Sequence, residues 1–190
     1  IIKIPKNNSK SFNSKSISIL VLGGSQAAKI FAEILPNIFK ECSNQGVPIR
    51  IFQHCLPSQN TYLKSFYEKS KIDFEIFNFS NNLTEFFSKT NLAITRSGSS
   101  ILAELTNANI PFISVPLPSS ADNHQLKNAL FYEKKNFTLL IEEKDLNTKL
   151  LSIMKDIYKN TSKLKKIIFS QRQYSDKNVF KNIDLILKKI

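Results

Sequence analysis

The chain has 190 residues, enough for one domain with its own core, and its balance of 42% hydrophobic to 22% charged residues suits a globular fold without a membrane span. Net charge is +12, which suits nucleic acid, an anionic membrane surface or an anionic substrate, or equally reflects a composition generally rich in Lys, Asn, Ile and Phe; the lysines are scattered, with no aromatic-interleaved basic stripe, so nucleic acid is disfavoured and an anionic membrane surface is the better use of the charge. Cys42 and Cys55 are the only cysteines, too few for a disulfide framework and wrongly spaced for a metal, so they read as free thiols of a reducing cytosol.

The sequence opens on Ile1, not Met, and is expected to be a fragment or processed piece. Residues 1–15 are polar and rich in Asn, Ser and Lys, without the pattern of a signal peptide, and read as an interdomain linker remnant. Ser16 to Leu22 is β-branched and apolar enough for a buried strand, closed by Gly23-Gly24. Ser25 is placed to cap a helix whose apolar face runs through Ala28, Phe31 and Ile34. Pro36 should kink or restart that helix, which continues to about Glu41. A strand over Pro48–His54 and a helix over Tyr62–Lys69 follow. Phe74–Phe77 alternates as a short strand, and Thr84–Ser88 suggests one or two helical turns. Leu92–Thr95 is a buried strand, and a helix runs from Ser100 to about Asn107. Pro111–Val115 is the next strand, Asn123–Lys134 a helix and Phe137–Ile141 a strand. Helices rich in Lys and Ile take over from Leu146. Strands alternating with helices predict an α/β fold, a Rossmann-like parallel sheet with helices on both faces.

Three loops between a strand and a helix carry the chemistry. They are Gly23-Gly24-Ser25-Gln26, then Arg96-Ser97-Gly98-Ser99-Ser100 leading to Glu104, then Ala121-Asp122-Asn123-His124-Gln125. Small residues at a helix N-terminus offer free N–H groups and a positive dipole end to an anion. At one edge of a parallel sheet such loops would line one crevice. The first loop lacks the GxGxxG fingerprint, which weakens a hydride-transfer reading, and a simple tight turn explains it equally well. In the second, Glu104 sits one turn past Ser100 on the same face and could accept from two vicinal hydroxyls, as on a ribose; the plain alternative is an exposed helix glutamate. Arg96 could equally be a structural salt bridge. In the third, an N-cap explains Asp122 or Asn123 alone, whereas four polar groups in a row suit sugar hydroxyls. His54 beside Cys55 reads as structural, and Phe86, Phe87, Phe131 and Tyr132 as core or groove packing. No Asp-x-Asp occurs, so no metal and no cofactor are expected, and donors and helix dipoles would balance any phosphates.

At these residues the chain resembles the C-terminal half of the MurG family, the bacterial peptidoglycan N-acetylglucosaminyltransferases. The matching stretches are Leu22 to Ala28, Arg96 to Ser99 with Ala103-Glu104, Pro111 to Pro116, and Asp122 to Gln125 with Asn128-Ala129, in order and spacing over roughly residues 16–142. The resemblance implies the C-terminal half of a glycosyltransferase B fold. Residues 16–190 would be the domain that binds UDP-N-acetylglucosamine. The Gly24-Ser25 loop would face the donor, and Ser97, Gly98, Ser99 and Ser100, after Arg96, would hold the diphosphate side. Glu104 would bind the ribose. Asn123, His124 and Gln125 lie in the loop that would meet the N-acetylglucosamine ring or its phosphate. Phe79 and Ser80 fall where the family recognises uracil, and Leu83 where an apolar side chain flanks the nucleotide.

The implied reaction moves N-acetylglucosamine to the 4-hydroxyl of the muramoyl sugar of lipid I, with inversion, giving lipid II, on the inner face of the bacterial cell membrane. The catalytic base and the acceptor loops would lie in an N-terminal domain that these residues do not include, so the piece alone is expected to be inactive. Where the family often carries His-Gln-x-Gly, this chain has His54-Cys55-Leu56-Pro57. Two other readings stand beside this one: a related nucleotide-sugar enzyme such as a UDP-N-acetylglucosamine 2-epimerase, and a noncatalytic basic binding module.

Overall fold

The computed structural model describes residues 16–24, 28–78 and 83–174. Six strands, β1 (Ile17–Leu22), β2 (Ile49–His54), β3 (Asp73–Phe77), β4 (Leu92–Thr95), β5 (Phe112–Ser114) and β6 (Thr138–Leu140), form one sheet in the order β3-β2-β1-β4-β5-β6, and every neighbouring pair is parallel. The chain order reverses between β1 and β4, the position at which doubly wound sheets open a crevice beyond their carboxyl ends. The register sets Leu22 against Thr95 there, so the first two loops leave the sheet side by side.

The helices are α1 (Lys29–Asn44), α2 (Asn60–Lys69), α3 (Thr84–Phe87), α4 (Ser99–Asn107), α5 (His124–Lys134), α6 (Leu146–Lys159) and α7 (Ser162–Gln173). Strand alternation divides the core between the two faces of the sheet. Ile19, Val21, Ile51 and Ile94 pack with α1, α2 and α6, and Leu20, Leu22, Phe52 and Ala93 with α3 and α4. Buried on both sides, these strands are near-continuous apolar runs rather than alternating ones.

Two expectations about α1 need correction. The helix begins at Lys29 with Ala28 at its N-cap position and no side-chain cap, later than a helix capped by Ser25; Ser25 itself lies outside the described residues. Of the kink or restart expected at Pro36, the restart does not occur, for one helix runs through to Asn44. An interior proline costs about 3 kcal/mol, and here it is offset by burial, because Leu35, Pro36, Ile38 and Phe39 all face the core. The expected linker, residues 1–15, also lies outside the described residues.

Candidate functional site

A hollow of about 540 Å³ lies over the carboxyl ends of β1 to β4. Gly24 comes to it from the end of β1, His54, Leu56 and Pro57 from the end of β2, and Phe77 and Asn78 from β3. Thr95 closes β4 beneath it, and Ser100, Ile101 and Glu104 face it from the first turns of α4. Leu83 completes the wall. Gly24, Ser100, Glu104 and Leu83, four of the residues chosen from sequence, therefore share one cavity. Ser25, Phe79 and Ser80 lie outside the described residues.

The backbone at α4 is suited to an anion. Gly98 is the N-cap residue and no side chain caps the helix, so no capping side chain takes up its first N–H groups, and the neighbouring Ser99 and Ser100 are exposed. The fold itself does not demand glycine at 98. Its φ is −67°, and an added Cβ would meet only Ile101 Cγ2, at an ordinary 3.9 Å. Gly24 differs, since its φ of +77° lies in the region that favours glycine.

Arg96 and Ser97 belong to the framework under this loop. Arg96 is buried; its guanidinium pairs with Glu143, donates to the carbonyls of Val115 at 3.3 Å and Pro116 at 3.2 Å, and stacks 4.9 Å from the Phe31 ring centroid. The salt-bridge alternative therefore describes its side chain. Ser97 is fully buried, its hydroxyl 2.8 Å from that of Ser114. Any outward contact from Arg96–Ser100 falls to the backbone and to Ser99 and Ser100.

The third loop leans on the second. Gln125 Oε1 accepts from the backbone N–H of Ser97 at 3.1 Å and of Leu117 at 3.0 Å, and Asn128 Nδ2 donates to the Ser97 carbonyl at 3.0 Å. Neither Asp122 nor Asn123 caps α5 as a plain N-cap would; Ser120 Oγ accepts from the Gln125 N–H instead, at 3.3 Å. Asp122 and Asn123 both hold left-handed backbone, φ 48° and 52°, a strain that persists where surrounding structure imposes it. Asn123 and His124 are exposed and stand outside the lining of the hollow.

His54, which beside Cys55 is expected to be structural, lines the hollow. So do Leu22, Leu56, Pro57, Phe77, Asn78, Thr95 and Ile101, none of which was singled out as a site residue. The position of His54 at the carboxyl end of a parallel strand was the signal that could have found it. Burial pushes its imidazole below the ordinary histidine value. Cys55, the next residue, is buried under the same wall, and its thiol donates to Asn60 Oδ1 at 3.0 Å. Burial pushes both thiols up to about 11, so neither is a nucleophile at neutral pH. Of the aromatics, Phe86 and Phe87 are core, whereas Phe131 is 53% exposed. Among the described residues no group of three or more His, Cys, Asp or Glu is placed to hold a metal ion.

A parallel doubly wound sheet with a mostly apolar hollow at its switch point, bordered by an uncapped helix start and a carboxylate, is the arrangement of a Rossmann-like domain whose ligands bind beyond the carboxyl ends of its strands. The model of the glycosyltransferase family 28 C-terminal domain matches residues 18–183, and the chain belongs to this family. A relative from Pelagibacter ubique, described as UDP-N-acetylglucosamine–N-acetylmuramyl-(pentapeptide) pyrophosphoryl-undecaprenol N-acetylglucosamine transferase, is 34% identical over 181 residues, 94% of this chain and 51% of its own. One of the same description from Rickettsia prowazekii is 33% identical over 147 residues, 76% of this chain and 38% of its own. The chain thus spans about half the length, or less, of these curated relatives. The crystal structure of MurG from Acinetobacter baumannii superposes with a TM-score of 0.80 at 24% identity, over 96% of this chain and 55% of that one, a likeness of fold. The UDP-GlcNAc 2-epimerase of Neisseria meningitidis, bound to UDP-GlcNAc, shares the fold more loosely, with a TM-score of 0.61 at 14% identity over 92% of this chain and 44% of that one.

Proposed function

We propose that this chain is the donor-binding half of an inverting glycosyltransferase that moves N-acetylglucosamine from UDP-N-acetylglucosamine to lipid I, forming lipid II in peptidoglycan synthesis. The observation that carries the reading is the meeting of Gly24, Ser100 and Glu104 on one hollow at the switch point, in a chain of this family. In this reading residues 16–190 are the donor domain and residues 1–15 the remnant of a linker. Glu104 accepts from the two ribose hydroxyls. The N–H groups of Gly98 to Ser100 and the dipole of α4 take the diphosphate and stabilise charge on the departing UDP. A glycine that the protein's own packing does not require at 98 is what close approach of a phosphate to backbone does require. His124 and the Gln125 amide meet the N-acetylglucosamine ring or its phosphate. The base that takes the acceptor proton, and the lipid I site, belong to the other half of such an enzyme.

The protein would act on the inner face of a bacterial cell membrane as a peripheral protein. The net charge of +12 supports attraction to anionic lipid, and no helix among the described residues is long and apolar enough to cross the bilayer.

Titration calorimetry with UDP-N-acetylglucosamine tests the reading. The chain should bind without turnover, and Glu104→Ala, which removes two charge-assisted hydrogen bonds, should weaken binding by about 2–3 kcal/mol, roughly 30- to 150-fold. Equal affinity in that variant would sink it. Conversion of the donor to its 2-epimer by the chain would favour the epimerase reading. Binding to lipid or nucleic acid without any affinity for the nucleotide sugar would favour a basic module.

A further inference from the structure

Both backbone groups of Ser97 are held from α5. Gln125 Oε1 accepts from its N–H at 3.1 Å, and Asn128 Nδ2 donates to its carbonyl at 3.0 Å. The two side chains are three residues apart and share one face of the helix. Ser97 is fully buried and Asn128 half-buried, so water is a poor substitute for either bond.

The carbonyl that Asn128 holds belongs to the Ser97–Gly98 peptide. This peptide is trans, and in a planar trans peptide the C=O and the N–H point in opposite directions, so fixing one fixes the other. Asn128 draws the Ser97 oxygen toward α5, which packs on β6, two strands beyond β4 in the sheet. The Gly98 N–H is thereby turned away from α5, to the side where the hollow lies over β1 to β4. Among the described residues no protein acceptor takes that N–H.

Glycine at this position makes such a restraint necessary. The Gly98 carbonyl is fixed by α4, since it accepts from the Leu102 N–H at 3.2 Å. The peptide on its other side is the loose one, because without a Cβ it can swing over through positive φ at little steric cost. A donor free to swing must be ordered when the ligand binds, and that ordering weakens binding.

We infer, on the donor-binding reading above, that Asn128 is a positioning residue for the diphosphate: by holding the Ser97 carbonyl it keeps the Gly98 N–H aimed at the phosphate oxygens, without touching the ligand itself.

Asn128→Leu tests this, since it keeps the size of the side chain, removes its donor and adds no charge. Titration calorimetry should show UDP weakened by about tenfold or more. Uridine, which carries no phosphate, should bind the variant as it binds the wild type. Undiminished UDP affinity overturns the inference, and so do UDP and uridine weakened alike, which is what a merely structural residue would give. A second measurement needs no variant to fold. Gly98 is the only one of the four glycines that follows a serine, so cell-free labelling with ¹³C-carbonyl serine and ¹⁵N-glycine isolates the signal of the Ser97–Gly98 peptide. UDP, and not uridine, should move the Gly98 amide proton downfield, as donation to an anionic oxygen requires. A Gly98 signal that is silent to UDP, or that answers uridine equally, overturns the proposal. Wild type that binds no UDP refutes the donor reading itself, whereas wild type that binds UDP with a silent Gly98 refutes the role of Asn128 alone.

Discussion

Gln125 separates the framework of the site from its ligand contacts within one side chain. Its Oε1 receives the backbone N–H groups of Ser97 and Leu117, at 3.1 and 3.0 Å. With the oxygen committed, the amide nitrogen is what the residue has left to offer a ligand. Gln125→Ala strands both N–H groups. A buried donor left unpaired costs about 1–3 kcal/mol; Ser97 is fully buried and Leu117 half-buried, so about 2–4 kcal/mol is expected. At about 2–4 °C per kcal/mol for a domain of this size, the melting temperature should fall by roughly 5–15 °C. Gln125→Glu behaves oppositely. Its carboxylate accepts the same two N–H groups, with charge assistance, so the melting temperature should hold or rise slightly. Yet it replaces an N–H donor by a negative oxygen near the place proposed for a diphosphate. Two like charges about 5 Å apart repel by about 3 kcal/mol at an effective dielectric of about 20, so binding of UDP-N-acetylglucosamine should weaken by roughly 100-fold. Thermal melting and titration calorimetry on both variants decide it. A stable Gln125→Ala protein would refute the framework role, and undiminished affinity in Gln125→Glu would refute the ligand role.

Arg96→Ala removes the ion pair with Glu143, two carbonyl contacts and the stack on Phe31; denaturant unfolding should show a loss of about 3–5 kcal/mol, and Arg96→Lys should restore only part of it because an ammonium lacks the planar fork. Cys42 and Cys55, buried and held up to about 11, should react with an aromatic disulfide reagent at pH 8 only on the timescale of unfolding; rapid labelling of the native protein would contradict their burial. Burial lowers the His54 pKa from 6.5, so between that value and its folded pKa the unfolded chain binds more protons than the folded one. Stability should therefore fall as pH drops below about 6.5, by less in His54→Phe, and an NMR titration should place the His54 midpoint below that of a free imidazole.

Local patterns carried most of the secondary structure. The apolar run Leu92–Thr95 is β4 at both ends, and β2, β3 and α5 begin or end within two residues of what composition and spacing predict. Gly24, Ser100 and Glu104 were legible for the same reason: a small-residue loop after a buried strand, and a carboxylate one helical turn on, are short-range signals. At Pro36 the helix does not restart, because the packing of α1 on the sheet outweighs a proline's preference.

What the sequence could not contain was who meets whom. Its periodicity states which residues face inward, but not that β1 lies beside β4, which is what brings Gly24 to Glu104. Arg96 finds Glu143 across 47 residues, and Gln125 finds Ser97 across 28. The sequence left Arg96 open between ligand and salt bridge, and the fold supplied the acid, the carbonyls and the ring that engage it. His54 moved the other way, from an isolated polar residue beside a cysteine to part of a hollow lined from four neighbouring strands and α4. Hydrophobic spacing is written along the chain; hydrogen-bond partners are chosen in space, after burial has fixed which groups lose their water.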